Sequence, residues 1–282
     1  MNVFKLIIND IEEGIIRNKR YISAPIISFF ACMVADIKIN NYIFGYQLND
    51  KRTIFDVFAE IFNGTDPLIR QQSFQLPYMW IGIFLCILLI NFDYVNKDIS
   101  QFGIQVITRL KHRKEWWYSK CIYNICSSLY YYLIFMFTII IFCSVNKYQI
   151  LFRNTPELTQ VLANSGTYIY KQLTAFSKEE IILQIVSPLV LLITLNMLQM
   201  TLSLIIKPTY SLVVTMGILL LGLFTDNVYS ISRMGMCMMS NLYYVNGYDL
   251  IKGVIICVVM IIASILIGTI FFDKYDILPG KD

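Results

Sequence analysis

The chain has 282 residues, of which 57% are hydrophobic and only 15% charged, with a formal net charge of +4. Soluble domains carry about 25% charged residues, and here the apolar residues run in unbroken blocks rather than at amphipathic spacing. This excludes an ordinary soluble domain and predicts an all-α polytopic membrane protein forming a single domain over 1–282.

In chain order, the first element is an amphipathic helix over 1–20. Phe4, Ile7, Ile8, Ile11 and Ile15 fall on one helical stripe, while Lys5, Asn9, Asp10, Glu12 and Glu13 lie mostly off it. Such a segment suits the membrane interface. Acids ahead of the apolar region and the lack of an A-x-A-like site argue against a cleaved signal peptide. Six spans are then predicted at about 21–37, 77–93, 119–145, 181–206, 209–224 and 250–272. A crossing helix needs roughly 20 residues for a hydrocarbon core of about 30 Å. The third, fourth and sixth blocks meet that easily. The first, second and fifth borrow interfacial residues such as Tyr21, Tyr78, Trp80 and Tyr210.

Placing the N-terminus inside puts 13 of the 23 Lys and Arg on the inner segments, in fewer positions than the outer ones occupy. Both termini are then cytoplasmic. The outer loops carry helix signals. Thr53 is an N-cap with Asp56 at the capping-box position, Gly64 is a stop, Pro156 opens a short helix, and Ser177 caps the fourth span. The last outer segment, 225–249, is rich in Met and Tyr. It is read either as short re-entrant helices or as a loop packed over the bundle.

Chemistry-bearing motifs are absent. The single histidine, His112, lies in a basic run, and there is no zinc-protease, hydrolase or P-loop pattern and no paired-cysteine metal spacing. No nucleic-acid partner or metal is predicted, and the chain itself is not read as an enzyme. Within these spans the unbroken apolar blocks, 21–35, 78–92, 121–145, 181–206, 210–224 and 253–272, contain no Asp, Glu, Lys or Arg, the first being closed by Asp36, which disfavours an ion-driven transporter. Their best polar set is on the fourth span: Gln184, Asn196, Gln199 and Ser203. These serve either as interhelical glue or as pathway lining.

The stretch "RLKHRKEWWYSK", residues 109–120, is the densest run of charge, and the uncharged "QFGIQVIT", residues 101–108, precedes it. Positive-inside anchoring explains it, with Trp116 and Trp117 in the interfacial belt and the basic residues drawn to anionic lipid. Docking to a cytosolic partner through the apolar strip Phe102, Ile104, Ile107 and Leu110 and the basic rim Arg109, Lys111, Arg113 and Lys114 is compatible with that anchoring.

The order of features resembles the membrane subunit of a bacterial type-2 ABC exporter. The features are an interfacial N-terminal helix, six spans, one long inner loop between spans two and three, an apolar segment between spans five and six, and the tail "FFDKYDIL". The inner loop also looks like that of small permeases from low-GC Gram-positive bacteria. The resemblance implies a permease in the bacterial cell membrane, with no cofactor of its own. Two copies of an ABC ATPase would bind ATP and Mg, and a second permease, identical or not, would complete the unit. It implies that the 93–120 loop is the coupling element, touching the ATPase together with Phe4, Ile8, Glu12 and Glu13. The cargo would be hydrophobic or amphipathic: a peptide or lantibiotic, a lipid or a drug. Longer outer loops depart from the smallest members. The alternatives are a non-transporting membrane scaffold or sensor subunit and, less well supported, an intramembrane enzyme.

Overall fold

A computed structural model describes residues 3–48, 52–65, 76–107, 110, 113–159, 175–225, 230–244 and 246–274. Among the described residues there are ten α-helices and no strand. They are α1 (Val3–Ile11), α2 (Ser23–Tyr46), α3 (Ile54–Ile61), α4 (Tyr78–Asn91), α5 (Tyr94–Asp98), α6 (Ile104–Ile107), α7 (Lys114–Val145), α8 (Lys178–Ser203), α9 (Pro208–Phe224) and α10 (Leu250–Lys274). Five helical stretches are long and apolar enough to cross a membrane: Lys19–Tyr46, Tyr78–Asp98, Lys114–Val145, Lys178–Ser203 and Leu250–Phe271. The chain is therefore built as a multi-pass membrane protein. α9 is equally apolar but shorter, at 17 residues, a rise of roughly 25 Å.

Helix bounds differ from the apolar blocks in ways that matter. α2 does not stop at Asp36 but runs on to Tyr46, where Gln47 closes it in the left-handed conformation. It thus carries Asp36 and Lys38 inside a continuous helix. α7 starts at Lys114 rather than 119, so the "KEWWYSK" run is its first two turns and not a loop. Four of the six expected spans therefore lie in helices, α2, α7, α8 and α10, that carry charged residues beyond the apolar block itself.

α2 also shows how a nearly uniform apolar helix selects its packing face. Ala24, Ser28, Ala31, Cys32, Ala35 and Ile39 are buried, at i, i+4, i+7, i+8, i+11 and i+15. Phe29, Phe30, Met33 and Ile37 point outward at 42–56% exposure. Size sorts the faces: small residues let α2 approach α7 closely, and large ones are left for an apolar surrounding.

α8 is the central helix, packed on α4, α7, α9 and α10. Its entry is fixed by the expected capping box, with Ser177 accepting from the Glu180 amide and Glu180 accepting from the Ser177 amide. Pro188 lies inside it. On the preceding turn the Tyr132 hydroxyl donates to the Ile185 carbonyl at 2.6 Å.

The helix ends fall into two groups. The base holds α1, α5, α6, the start of α7 and the end of α10. The cap holds α3, residues 148–159 and residues 230–249. The last of these is two 3-10 turns, Ile231–Gly235 and Cys237–Met239, buried against α3, α8, α9 and α10. The segment packs over the bundle and also contains two short helical turns; residues 226–229 and 245 lie outside the described residues.

Candidate functional site

The base gathers most of the residues singled out for coupling. α1 lies against α7 through Leu6, Asp10, Gly14 and Ile15. The packing face is therefore rotated from the apolar stripe: Phe4 and Ile8 remain 68% and 49% exposed. Glu12 and Glu13 are also outward, both bonded to Arg17, at 2.6 and 2.5 Å. Gly14 allows a close approach, since a Cβ there would sit 2.3 Å from the Tyr123 ring.

Between α4 and α7 the chain does not form a loose loop. α4 gives way to α5, a π turn at Ile99–Gly103, and α6. Val95, Val106, Ile107, Trp116, Trp117 and Cys121 bury together with Leu6, Met197 and Met200. Trp116 and Trp117 are fully buried. The expectation of an interfacial tryptophan belt is thereby corrected: each ring packs inward, and each indole N–H is used. Trp116 donates to Asp98 Oδ2 at 3.0 Å, and Trp117 to the Ile265 carbonyl of α10 at 3.1 Å. Ile107 is buried too, and Leu110 is half-buried against the same cluster. These residues hold the platform together and offer no outward face. Arg113 and Lys97 are exposed, and Lys114 is half-buried at the start of α7. Arg109 and Lys111 lie outside the described residues. Phe102 and Ile104 lie in the π turn and in α6.

Sequence reasoning missed the centre of this region. Lys120, one residue before the apolar block, is 1% exposed and bonds two carboxylates: Asp10 Oδ1 at 2.5 Å and Asp98 Oδ2 at 2.8 Å. Asp10 also accepts from Ser119 Oγ at 2.6 Å and from the Tyr94 hydroxyl at 3.1 Å. The Lys120 ammonium sits 5.1 Å from the centres of both the Tyr94 and Trp116 rings, close enough for cation–π attraction. Tyr94 stacks on Tyr123 at 4.1 Å, and Tyr123 donates to Asn91 at 2.9 Å. Nearby, Arg20 grips Asp93 with two bonds of 2.6 and 3.0 Å. A buried ion survives only when paired and hydrogen-bonded, and this one ties α1, α5 and α7 to a single point. The available signal was spacing: Asp10 is on the face of Leu6 and Gly14, and Lys120 is one helical turn from Trp116.

The polar set on α8 is internal. Asn196 Nδ2 donates to Ser128 Oγ at 2.9 Å, Gln199 Nε2 to the Leu88 carbonyl at 3.1 Å, and Ser203 Oγ to the Met200 carbonyl at 2.7 Å. Asn124 reaches the Asn196 carbonyl at 3.3 Å. These are bonds between α8 and its neighbours, or within α8, which is the glue reading. Gln184 differs: it is 1% exposed, lies beside Tyr243, and neither amide atom makes a well-formed hydrogen bond.

Two concavities open on the bundle. A cavity of about 420 Å³ at the cap is lined by Ala31, Lys38, Glu60, Asn63, Tyr78 and Trp80, with Lys38 bonded to buried Glu60 at 3.0 Å. An apolar groove of about 740 Å³ lies between α2 and α7, over Phe29, Met33, Ile37, Ile134 and Phe137. Among the described residues no group of three or more His, Cys, Asp or Glu could hold a metal ion. Comparison with protein-family models, with curated proteins and with solved structures finds no match.

Proposed function

We propose that the chain is the membrane subunit of an ATP-driven exporter, moving a hydrophobic or amphipathic cargo and taking its work from a separate ATPase bound at the base. The observation that carries this reading is the base platform. α5, which ends the crossing stretch Tyr78–Asp98, leads through the π turn into α6, and a buried ion triad joins the end of α5 to α1 and α7. Such a structure can transmit a push, because a packed interior resists compression. A lipid anchor alone needs no such bracing. In this reading α9 completes a sixth crossing, α1 lies in the membrane interface with Phe4 and Ile8 toward lipid, and both termini are cytoplasmic in a bacterial cell membrane. ATP and Mg belong to the partner, present in two copies. The α2–α7 groove is available to a second permease.

The test is recovery of the intact complex in mild detergent, followed by mass spectrometry and an assay of ATP hydrolysis. An ATPase that copurifies, and that is lost when exposed Lys97 and Ser100 are replaced by Glu and Arg, supports the reading. Recovery of the chain alone, from cells in which such an ATPase is made, refutes it and favours a scaffold or sensor.

A further inference from the structure

Two carboxylates share one ammonium in the buried triad, and they come from different pieces of chain: Asp10 from α1, and Asp98 from the end of α5. Stripping a buried ion of its only partner is strongly unfavourable, whereas a well-packed apolar junction holds helices together equally well. A triad with a spare carboxylate is therefore poor glue but a good joint. Either carboxylate can leave while the other keeps Lys120 paired.

The two carboxylates are not held alike. Asp10 is 3% exposed in its side chain and takes bonds from Lys120, Ser119 and Tyr94, all of them buried or half-buried. Its departure would orphan two hydroxyls as well as weaken the hold on Lys120. Asp98 is 18% exposed and takes its bonds on one oxygen, from Lys120 and from the Trp116 indole. It lies at the rim, next to exposed Lys97 and Ser100. Its path into water is short.

We propose that Lys120 is a two-position clasp: α1 stays docked through Asp10, while the α5–α6 platform docks and undocks through Asp98. Lys120 is paired in both positions, so the motion exposes no bare charge. This deepens the reading of the base as the part a motor pushes, and rests on it for purpose. The motion itself belongs to the isolated chain and is tested there.

The experiment is hydrogen–deuterium exchange on the full chain in lipid nanodiscs, without any ATPase. In the wild type, amides of 94–107 exchange faster than those of 4–15. Asp98→Asn raises exchange in 94–107 by roughly tenfold, the worth of one charged hydrogen bond, and leaves 4–15 within about twofold. Asp10→Asn raises exchange in 4–15 instead. The clasp is overturned if Asp98→Asn opens both segments together, or opens neither, or if 4–15 is the faster segment in the wild type. That last comparison needs no variant and stands even if a variant fails to fold. Failure to recover an ATPase would remove the exporter reading and leave these exchange rates untouched.

Discussion

At the base, α1, α5 and α7 meet through two carboxylates, Asp10 and Asp98, that share the one ammonium of Lys120, with Lys120 and Asp10 almost completely enclosed. At the cap, α3, α8 and the 230–249 segment meet through Met234, Met236, Met238, Met239, Cys237 and Tyr248, all buried. The polar bonds of the 230–249 segment run largely to backbone. Cys237 N donates to the Phe62 carbonyl at 2.8 Å, Trp80 Nε1 to the Gly235 carbonyl at 3.0 Å, and Tyr248 OH to the Met234 carbonyl at 3.0 Å. The contrast separates two ways of closing a bundle. Thioether and aromatic packing fills irregular space with dispersion contacts and tolerates small changes of shape. An ion cluster allows a few discrete arrangements and penalises everything between them.

The sharpest way to break this comparison is Lys120→Met. It leaves buried Asp10 and half-buried Asp98 without their cation, and a loss of about 3–5 kcal/mol is expected, read as a large drop in melting temperature in detergent. Adding Asp10→Asn and Asp98→Asn should recover most of the loss, because a neutral junction has no charge to strand. If the triple variant is no more stable than Lys120→Met, the base is not held by its charges.

Next in size is Met236→Ala in the cap. Met236 is fully buried, so the cost is about 2–5 kcal/mol in transfer and cavity terms. Met236→Leu should cost under about 1.5 kcal/mol. An equal loss for both would mean that the sulfur, not the volume, is what the cap requires.

Gln184→Leu should stabilise, by about 1–2 kcal/mol, since it removes a buried amide that lacks a well-formed bond. The check is thermal stability together with transport. A stable variant that loses the export proposed above would mark Gln184 as lining the path of the cargo.

The smallest expected effect concerns Asp56. Burial raises its pKa above the ordinary 3.8, outweighing four hydrogen bonds from Thr53 and Thr155 that favour the charged form. A carboxyl raised on folding stabilises the fold below its unfolded pKa. That stability is lost as pH rises through the folded pKa. Between pH about 4 and neutrality, Asp56→Asn should flatten the pH dependence of cap unfolding. If the slope steepens, the sign assigned to burial is wrong.

Much of the scaffold was legible because apolar runs and caps are local signals. The capping boxes at Thr53 and Ser177 form as their residue types require, and Gly64 takes the positive φ of +81° that its position demands. What was not legible depends on partners distant in sequence. Lys120 reads as the last charge of a cytosolic run until Asp10, 110 residues away, supplies its counter-ion. Trp116 and Trp117 read as interfacial because their polar N–H groups must go somewhere. Their acceptors, Asp98 and Ile265, appear only on folding. Asp36 looked like a helix end because a charge closes an apolar run. In the folded chain it is bonded by Tyr148 and lies 3.9 Å from Arg52, so the helix passes it by. The coupling surface proper is the least legible part: of the residues meant to face outward there, Ile107, Trp116 and Trp117 are buried and Leu110 and Lys114 half-buried, while Arg113 is exposed.

The strap where Gln149 N meets the Arg52 carbonyl at 2.8 Å, and Ile54 N meets the Gln149 carbonyl at 3.2 Å, bears on which walls of the bundle can part. With Thr53 hooked to Arg153 and Thr155 to Asp56, it lashes α2, α3 and α7 into one block at that mouth. Elsewhere on the bundle α9 is tied to the 230–249 segment by Arg233 reaching back to the Gly222 carbonyl. A cross-link between α2 and α7 at that mouth should therefore leave thermal stability nearly unchanged, since the strap already holds them together.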